Sequence, residues 1–175
     1  MEYKRNVTVY GQSVDLDTAK LAFSEGTLSE YLETEGGWID YYGAKLAEAE
    51  RQYAEMEMEV EREEDEYDRV YSRVFSTLKT TEGGSDKLVE GQSKVEPTVV
   101  AARKKVLEIK TKSIELKYIV RLLQQHLRAW DKNHENAQNR GNTLRKELER
   151  LYKDKVTTSA YEDKMDDIIK SVDIG

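Results

Sequence analysis

Apolar residues recur every three or four positions over two long stretches of this chain. In the second half they run from Ala102 to Leu151, and in the first half two interleaved sets with seven-residue spacing run from Tyr42 to Val74. Spacing of this kind places the apolar residues on one face of a helix that packs against another helix. The pattern predicts one long helix over about 38–79 and a second from Pro97 to about 151.

The stretch between the two predicted helices has the composition of a turn. Residues 80–97 contain Gly83, Gly84, Gly91 and Pro97, and glycine and proline often end helices. Pro97 suits the first turn of the second helix, where its missing N–H costs nothing. Two amphipathic helices joined in this way most simply pack antiparallel. The predicted fold class is therefore all-α, built on a long, coiled-coil-like antiparallel helical hairpin.

The first part of the chain predicts a small N-terminal cap or arm. Val7 and Val9 alternate with polar residues, which is the pattern of a short strand or an extended arm. From Leu16 to Leu32 the apolar residues follow helical spacing, and Gly36-Gly37 interrupts the segment. We expect residues 1–37 to form a hairpin-like or helical cap that packs on the bundle.

The C-terminal part of the chain carries two predicted interruptions. Residues 133–142 include four asparagines and a glycine, which are poor residues for a helix interior, so we expect a kink, a break or a local loop there. Residues 156–160 predict a second break, and residues 161–169 a last short helix. The predicted organisation is a hairpin and oligomerisation region over 38–155, followed by a short helix and tail over 156–175.

High charge and a scarcity of proline favour long, surface-rich helices over a thick globular core. Charged residues make up 36% of the 175 residues, hydrophobic residues make up 38%, and there is one proline. A chain this thin needs copies of itself, so we expect a homo-oligomer. There is no cysteine, which fits a reducing compartment, and no run reaches the roughly 18 apolar residues of a membrane span. We expect a cytoplasmic protein with no membrane partner.

The charge is divided unevenly, and the net charge of −7 hides the division. Residues 1–96 hold 11 basic and 23 acidic side chains, whereas residues 97–155 hold 15 basic and 7 acidic ones. The acidic run surrounds Glu63, which interrupts the apolar row of the first helix. Two explanations compete: the acidic helix neutralises the basic helix within the hairpin, or the basic helix keeps cations for a polyanion. We favour the first as the main reason and keep the second open.

No combination of residues in the sequence predicts catalysis. There is no glycine-rich phosphate loop, no cysteine and no His-Glu-x-x-His motif. His126 and His134 stand eight residues apart, and ordinary polar helix positions explain them better than a site does. The carboxylates of residues 55–68 lack the Glu-x-x-His pairs of carboxylate-bridged bundles, which favours a solvated or salt-bridged face. We expect no enzyme activity, no metal and no cofactor.

Aromatic side chains are further candidates for contact with a ligand. In single-strand binders, stacking of a base on an aromatic ring contributes about 1–3 kcal/mol. Tyr42, Tyr53, Tyr67 and Trp130 fall on the apolar rows, so we expect them in the core. Tyr71 and Tyr118 lie off these rows and are better placed to contact a ligand or another subunit.

Four segments, in their order along the chain, resemble a known family. They are VDLDTAKLAF, YYGAKLAEAERQY, DKLVEGQSKVEPTVVAARKKVLE and KYIVRLLQQHLRAWDKNHENAQNRGNTLRKE. Over about residues 13–150, this order is similar to that of phage recombination mediator proteins of the T4 UvsY type. The resemblance implies a mainly helical, ring-like homo-oligomer in the hexamer or heptamer range that binds single-stranded DNA. It also implies that the protein is not an enzyme and loads a RecA-like recombinase onto strands covered by a single-strand DNA-binding protein, in the host cytoplasm if phage-encoded.

In that family, basic residues of the first long helix contribute to DNA binding. The corresponding stretch here keeps three arginines but is dominated by carboxylates, so the contacts are expected either there or on the basic second helix. The candidate DNA-binding residues are Arg62, Arg69, Arg73, Arg103, Lys104, Lys105, Lys110, Lys112, Lys117 and Arg121. The candidate oligomerisation residues are Leu123, Leu127, Trp130, Leu144, Leu148 and Leu151. The alternative function is a coiled-coil scaffold or assembly protein of a phage that does not bind DNA.

Overall fold

Two long helices dominate the fold, and a small β-hairpin precedes them. A computed structural model describes residues 4–81 and 83–172, with side chains as far as residue 153 and at residue 155. The strands are β1 (Lys4–Val9) and β2 (Gln12–Asp17), followed by 3-10 turns at Thr18–Leu21 and Glu25–Thr27. The helices are α1 (Leu28–Thr81), α2 (Asp86–Val95) and α3 (Pro97–Val172).

Helices α1 and α3 pack side by side in opposite directions, which confirms the predicted antiparallel pair. Lys105 of α3 contacts Glu63 of α1, and further along α3 Gln124 contacts Glu50. Near the start of α1, Glu35 contacts His134. The α1 partners move toward the N-terminus as α3 advances, as an antiparallel register requires.

The N-terminal cap is a β-hairpin, so the all-α prediction is wrong for residues 4–17 and the fold is mostly helical. The two strands pair antiparallel with Val7 opposite Val14. Tyr10 and Gly11 form the turn, with φ of 45° and 76°, and positive φ at both positions matches the turn that suits the strand twist. The alternation of Val7 and Val9 buries one face of the hairpin on the helices.

The main core lies where the hairpin meets both long helices. Trp130 of α3 and Tyr42 of α1 are almost completely buried there, together with Leu16 of the hairpin. The Tyr42 hydroxyl donates a hydrogen bond of 2.7 Å to the backbone carbonyl oxygen of Asp15. Burial raises the pKa of Tyr42 to about 12. This contact fixes the hairpin on α1 through a satisfied buried hydroxyl.

Helix α1 begins ten residues before the predicted start, and Gly36-Gly37 does not interrupt it. Both glycines face solvent, where they cost helix propensity without disturbing a contact. Tyr31 and Glu35 on the same turns are buried against the rest of the fold. Tertiary packing at these two positions therefore overrides the weak local preference of the glycines.

The connection between the long helices contains a helix that we predicted as turn and loop. Gly83 and Gly84 make the turn, with φ of 68° and 100°, and α2 then runs for ten residues. Val89 and Ser93, four residues apart, are fully buried. One buried face is therefore enough to fold this segment as a helix in spite of Gly91.

Helix α3 is continuous through both predicted interruptions, at 133–142 and at 156–160. The Asn133 amide donates to the backbone carbonyl of Leu21 and to the Tyr31 hydroxyl, so this polar residue has tertiary partners. Gly141 lies against Leu28, with 3.8 Å to that side chain from the Cβ that an alanine would add. Residues 161–169 belong to the same helix rather than to a separate short one.

The last part of α3 extends beyond the start of α1. Leu28, the first residue of α1, lies beside Gly141, and α3 continues to Val172. At 1.5 Å per residue, the overhang is roughly 45 Å long. From residue 145 onward its described side chains are exposed, with Leu148 67% and Leu151 60% exposed.

Candidate nucleic-acid interface

The acidic run of α1 lies along the basic start of α3, as the charge pattern predicted. Lys105 contacts both carboxylate oxygens of Glu63 at 2.9 Å, and Lys110 contacts Glu64. The Glu63 side chain is only 10% exposed, so this pair forms part of the interface between the helices. In this region the acidic helix neutralises basic residues that would otherwise be candidates for DNA.

Three other predicted DNA-binding residues have carboxylate neighbours on their own helix. Arg62 lies 3.7 Å from Glu59, a distance typical of a loose surface pair. The other two such pairs are Arg69 with Glu66 at 3.6 Å and Lys104 with Glu108 at 3.8 Å. These side chains are well exposed, so each pair contributes little, on the order of 0.3–0.5 kcal/mol. A polyanion would compete with these carboxylates at a modest cost.

The other five predicted residues make no ion pair with the described side chains. They are Arg73, Arg103, Lys112, Lys117 and Arg121. Among them, Arg103 faces a groove of about 900 Å³ between the three helices. The groove is lined by four carboxylates and three basic side chains: Glu61, Glu64, Asp65, Asp68, Lys94, Arg103 and Lys110. Because carboxylates outnumber cations there, the groove is a poor site for a polyanion.

A basic row continues along the outer face of α3 beyond this groove. Lys117, Arg121, Arg128 and Lys132 are exposed, and none of them has a carboxylate within ion-pair distance in the part of the chain that the structure describes. Lys117 lies over the Tyr53 ring, with its nitrogen 5.7 Å from the ring centroid. Arg128 and Lys132 were absent from the predicted set, although their spacing from Arg121 matches the helix repeat. We call these four residues the open basic row.

Tyr118 lies in this region and contacts the N-terminal hairpin. Its side chain is 52% exposed, and Arg5 of β1 donates a hydrogen bond to its hydroxyl. The Arg5 guanidinium carbon is 5.8 Å from the Tyr118 ring centroid. Arg5 was not a predicted site residue, because only docking of the hairpin brings it to α3. Tyr71, the other aromatic candidate, is half-buried and stacks with Tyr67 at 6.2 Å between ring centroids.

The two histidines are not the plain polar helix residues that we expected. His126 is buried, accepts a 3.1 Å hydrogen bond from Trp130 Nε1 and packs edge-on against Tyr42. Burial lowers the pKa of His126 from its usual value of 6.5. The Nδ1 atom of His134 lies 2.5 Å from Glu35 Oε1. Both histidines thus bind structural partners in the core or at its edge.

The predicted oligomerisation residues divide into a buried and an exposed group. Leu123 and Trp130 are fully buried in the contact of α3 with α1, so their apolar surface is used within the chain. Leu127 and Leu144 are half-buried and pack on this core. Leu148 and Leu151 are exposed on the overhang, so these two remain available to a second copy.

The described residues form neither a cluster that could hold a metal ion nor a helix that could span a membrane. No group of three or more His, Asp or Glu side chains among them is arranged to hold a metal ion. Within the same residues, no helix combines the length and apolar character needed to cross a bilayer.

Comparison with known proteins gives no family for this chain. It matches no protein-family model, no curated protein and no solved structure. The resemblance to recombination mediators therefore remains an expectation. A functional proposal has to be based on the contacts and exposure of the basic residues described above.

Proposed function

We propose that this protein is a non-enzymatic recombination mediator that binds single-stranded DNA as a homo-oligomer. It would promote loading of a RecA-like recombinase onto strands covered by a single-strand DNA-binding protein. The observation that carries the proposal is the open basic row of α3. Its cations are exposed and have no carboxylate of the described residues within ion-pair distance, whereas Lys105 and Lys110 pair with carboxylates of α1. A row of unneutralised cations is the electrostatic requirement for binding a phosphate backbone.

The open basic row has a length that suits a nucleic-acid strand. From Lys117 to Lys132 the helix rises by roughly 22 Å, so four cations lie along one line rather than in a single cluster. If each neutralises one phosphate, the logarithm of the binding constant should fall with the logarithm of salt concentration with a slope of about −3 per subunit. Binding would be weak for one chain and strongly dependent on salt.

Oligomerisation would convert these weak contacts into useful affinity. Several subunits that face one strand act at a high effective concentration, so their contacts reinforce each other. The exposed leucines of the overhang, Leu148 and Leu151, provide apolar surface for contact between copies. By the resemblance, the assembly is a ring in the hexamer or heptamer range. A strand held and distorted by such a ring would release the covering protein and let the recombinase begin to assemble.

The second candidate function is a scaffold or assembly protein that does not bind DNA. The contacts of Lys105 with Glu63 and of Lys110 with Glu64 favour it, since they show basic residues used within the chain. This function predicts oligomers without affinity for DNA. The two functions therefore differ in a measurable property.

Fluorescence anisotropy with a labelled single-stranded oligonucleotide tests the proposal. We expect binding at low salt that weakens steeply as salt rises, with a loss of about tenfold or more in the Arg121→Glu, Arg128→Glu variant. The comparison variant is Lys104→Glu with Lys105→Glu, which reverses two charges in the region where carboxylates face α3, and it should lose much less. Because Lys105 pairs with the little-exposed Glu63, circular dichroism verifies that this variant is folded. The pair Arg69→Glu with Arg73→Glu tests the first-helix site that the resemblance implies.

The contradicting outcomes are distinct. Absence of binding at low salt by an assembled oligomer would refute the mediator function and favour the scaffold. A larger loss in the Lys104, Lys105 variant than in the Arg121, Arg128 variant would place the DNA near the groove instead. Light scattering coupled to gel filtration, with and without the oligonucleotide, reports the number of subunits in the same samples.

A further inference from the structure

An exposed apolar row follows the outer face of α3 into the open basic row. Leu107 is 55% exposed, Ile114 is 69% exposed and Tyr118 is 52% exposed. Steps of seven and four residues keep these side chains on one side of the helix. Because a helix normally buries such a row, its exposure makes this face of α3 a candidate for contact with a ligand or partner.

Tyr118 differs from the rest of the row because Arg5 of β1 contacts it and two exposed cations of α3 lie close to it in sequence. Arg5 reaches it from β1 and donates to its hydroxyl, while Lys117 and Arg121 flank it on α3. The only acidic residue within one turn of Tyr118 along α3 is Glu115, which is exposed. Because Val7 and Val9 bury β1 in the core, the strand fixes the position of Arg5 beside Tyr118.

The Tyr118 side chain is 52% exposed and the Arg5 guanidinium lies over its ring, 5.8 Å from the centroid. A half-exposed ring beside cations indicates what kind of ligand would bind here. Unpaired nucleotides carry a π-face that stacks on an aromatic ring and a phosphate on each side of it. Stacking is tolerant of sequence because every base has such a face. An acidic protein helix would satisfy the cations but would make no use of the flat ring.

We infer that Tyr118 is a base-stacking site for single-stranded DNA, with Arg5, Lys117 and Arg121 binding the flanking phosphates. This inference rests on the proposed function and adds to it a specific contact with the bases. It also makes the N-terminal hairpin a part of the DNA site rather than only a cap, since Arg5 is contributed by β1.

Substitution of the tyrosine tests the stacking contact. We expect Tyr118→Ala to weaken binding of a labelled oligo-dT by about tenfold. Tyr118→Phe should retain most of the affinity because it keeps the ring and removes only the hydroxyl. The matched control is Met58→Ala, which removes a large apolar side chain that is 63% exposed on the charged stretch of α1, away from the overhang; it should bind like the unchanged protein. Circular dichroism verifies that each variant is folded.

An abasic oligonucleotide of the same length separates stacking from phosphate contact. The unchanged protein should bind it about as weakly as Tyr118→Ala binds oligo-dT, and Tyr118→Ala should not distinguish the two ligands. Arg5→Ala should lower the salt slope by about 0.7, the share of one phosphate on a single strand.

Three results would overturn the inference, and each is distinguishable from failure of the proposed function. Equal binding of oligo-dT by Tyr118→Ala and the unchanged protein would remove the stacking contact while leaving DNA binding intact. Equal binding of dT and abasic ligands by the unchanged protein would do the same. A change of subunit number in Tyr118→Ala, without a change in affinity, would show that this face joins copies of the chain. If the unchanged protein binds neither ligand, the proposed function itself fails.

Discussion

The two halves of the antiparallel α1–α3 pair differ in the side chains that lie between the helices. In the charged half, α1 residues 57–73 lie along α3 residues 98–112, and Glu63 occupies a position in the interface. In the aromatic half, α1 residues 31–53 lie along α3 residues 116–137, and the buried positions hold Trp130 and other apolar side chains. Among the described residues, the hairpin hydrogen-bonds to α1 between Tyr42 and Glu55, within or next to the aromatic half.

The difference explains why some cations of α3 are neutralised and others are not. In the charged half, α1 presents carboxylates toward α3, so Lys105 and Lys110 find partners there. In the aromatic half, α1 presents Tyr42 and Ala49 to the interface, and the outer cations of α3 have no facing carboxylate run. The half that holds the main buried core is thus also the half that leaves the open basic row at the surface.

The largest expected effect is on the stability of the aromatic half. Trp130→Ala should lower the free energy of unfolding by about 4 kcal/mol, because it removes a fully buried ring at the junction of hairpin and helices. Ile109→Ala, in the charged half, should cost only about 2 kcal/mol. Urea unfolding followed by circular dichroism measures both. Equal losses would show that the two halves contribute alike and would break the comparison.

The next effect is a gain in stability at the start of the aromatic half. Gly36→Ala together with Gly37→Ala should stabilise the protein by about 2 kcal/mol, since each alanine favours an exposed helix interior by about 1 kcal/mol. Nothing lies within 4 Å of the added Cβ at either position. Gly11→Ala is the opposing control: its φ of 76° strains an alanine, so stability should fall. A loss in the double variant would mean that α1 needs its glycines.

A smaller effect is expected when the charged half is made to resemble the aromatic half. Glu63→Leu should raise the free energy of unfolding by about 1 kcal/mol, because it completes the apolar row and leaves no buried charge unpaired. Lys105 is 61% exposed and returns to water when its partner is removed. Glu64→Leu is the control, with a change within about 0.5 kcal/mol expected at this half-exposed position. Destabilisation by Glu63→Leu would show that the ion pair itself stabilises the fold.

The smallest expected effect is a dependence of stability on pH in the aromatic half. Because burial lowers the pKa of His126 from 6.5, the unfolded chain takes up a proton near pH 6.5 that the folded chain still excludes. The His126 contribution is therefore fully present above that pH and is lost as the pH falls toward the lowered value. Asp17, Lys20, Tyr42 and Trp130 act on or contact this imidazole.

Thermal unfolding between about pH 8 and pH 5 measures this contribution. His126→Gln should reduce the loss of thermal stability that begins as the pH falls below the ordinary histidine pKa. Any loss caused by the titration of other groups should be the same in both proteins. Parallel curves for the two proteins would show that His126 does not contribute to the decline.

Much of the fold could be predicted from the sequence because it follows from local periodicity. The two long apolar rows predicted α1 and α3. The opposite net charges of these two helices predicted which stretches of them lie side by side. Glu63 was recognisable as an interruption in its row, and in the structure it pairs with Lys105 of the basic helix. Helix breakers were less reliable, because Gly36 and Asn133 lie on helices that tertiary contacts hold together.

The candidate site could be predicted only in outline. Sequence alone identified α3 as basic and Tyr118 as an off-row aromatic residue. It could not predict which cations lack an ion-pair partner, because that depends on which side chain of α1 lies near each of them. Nor could it connect Arg5 with Tyr118, because these residues lie 113 positions apart.

Taken by itself, the sequence determined the two amphipathic rods, their opposite charges and their antiparallel pairing, because repeat spacing and composition act within each helix. The tertiary structure decided that residues 4–17 form a docked hairpin, that α1 and α3 run through their weak helix formers, and that the cations from Lys117 onward stay exposed. These outcomes depend on contacts between distant parts of the chain, and local preferences do not encode such contacts.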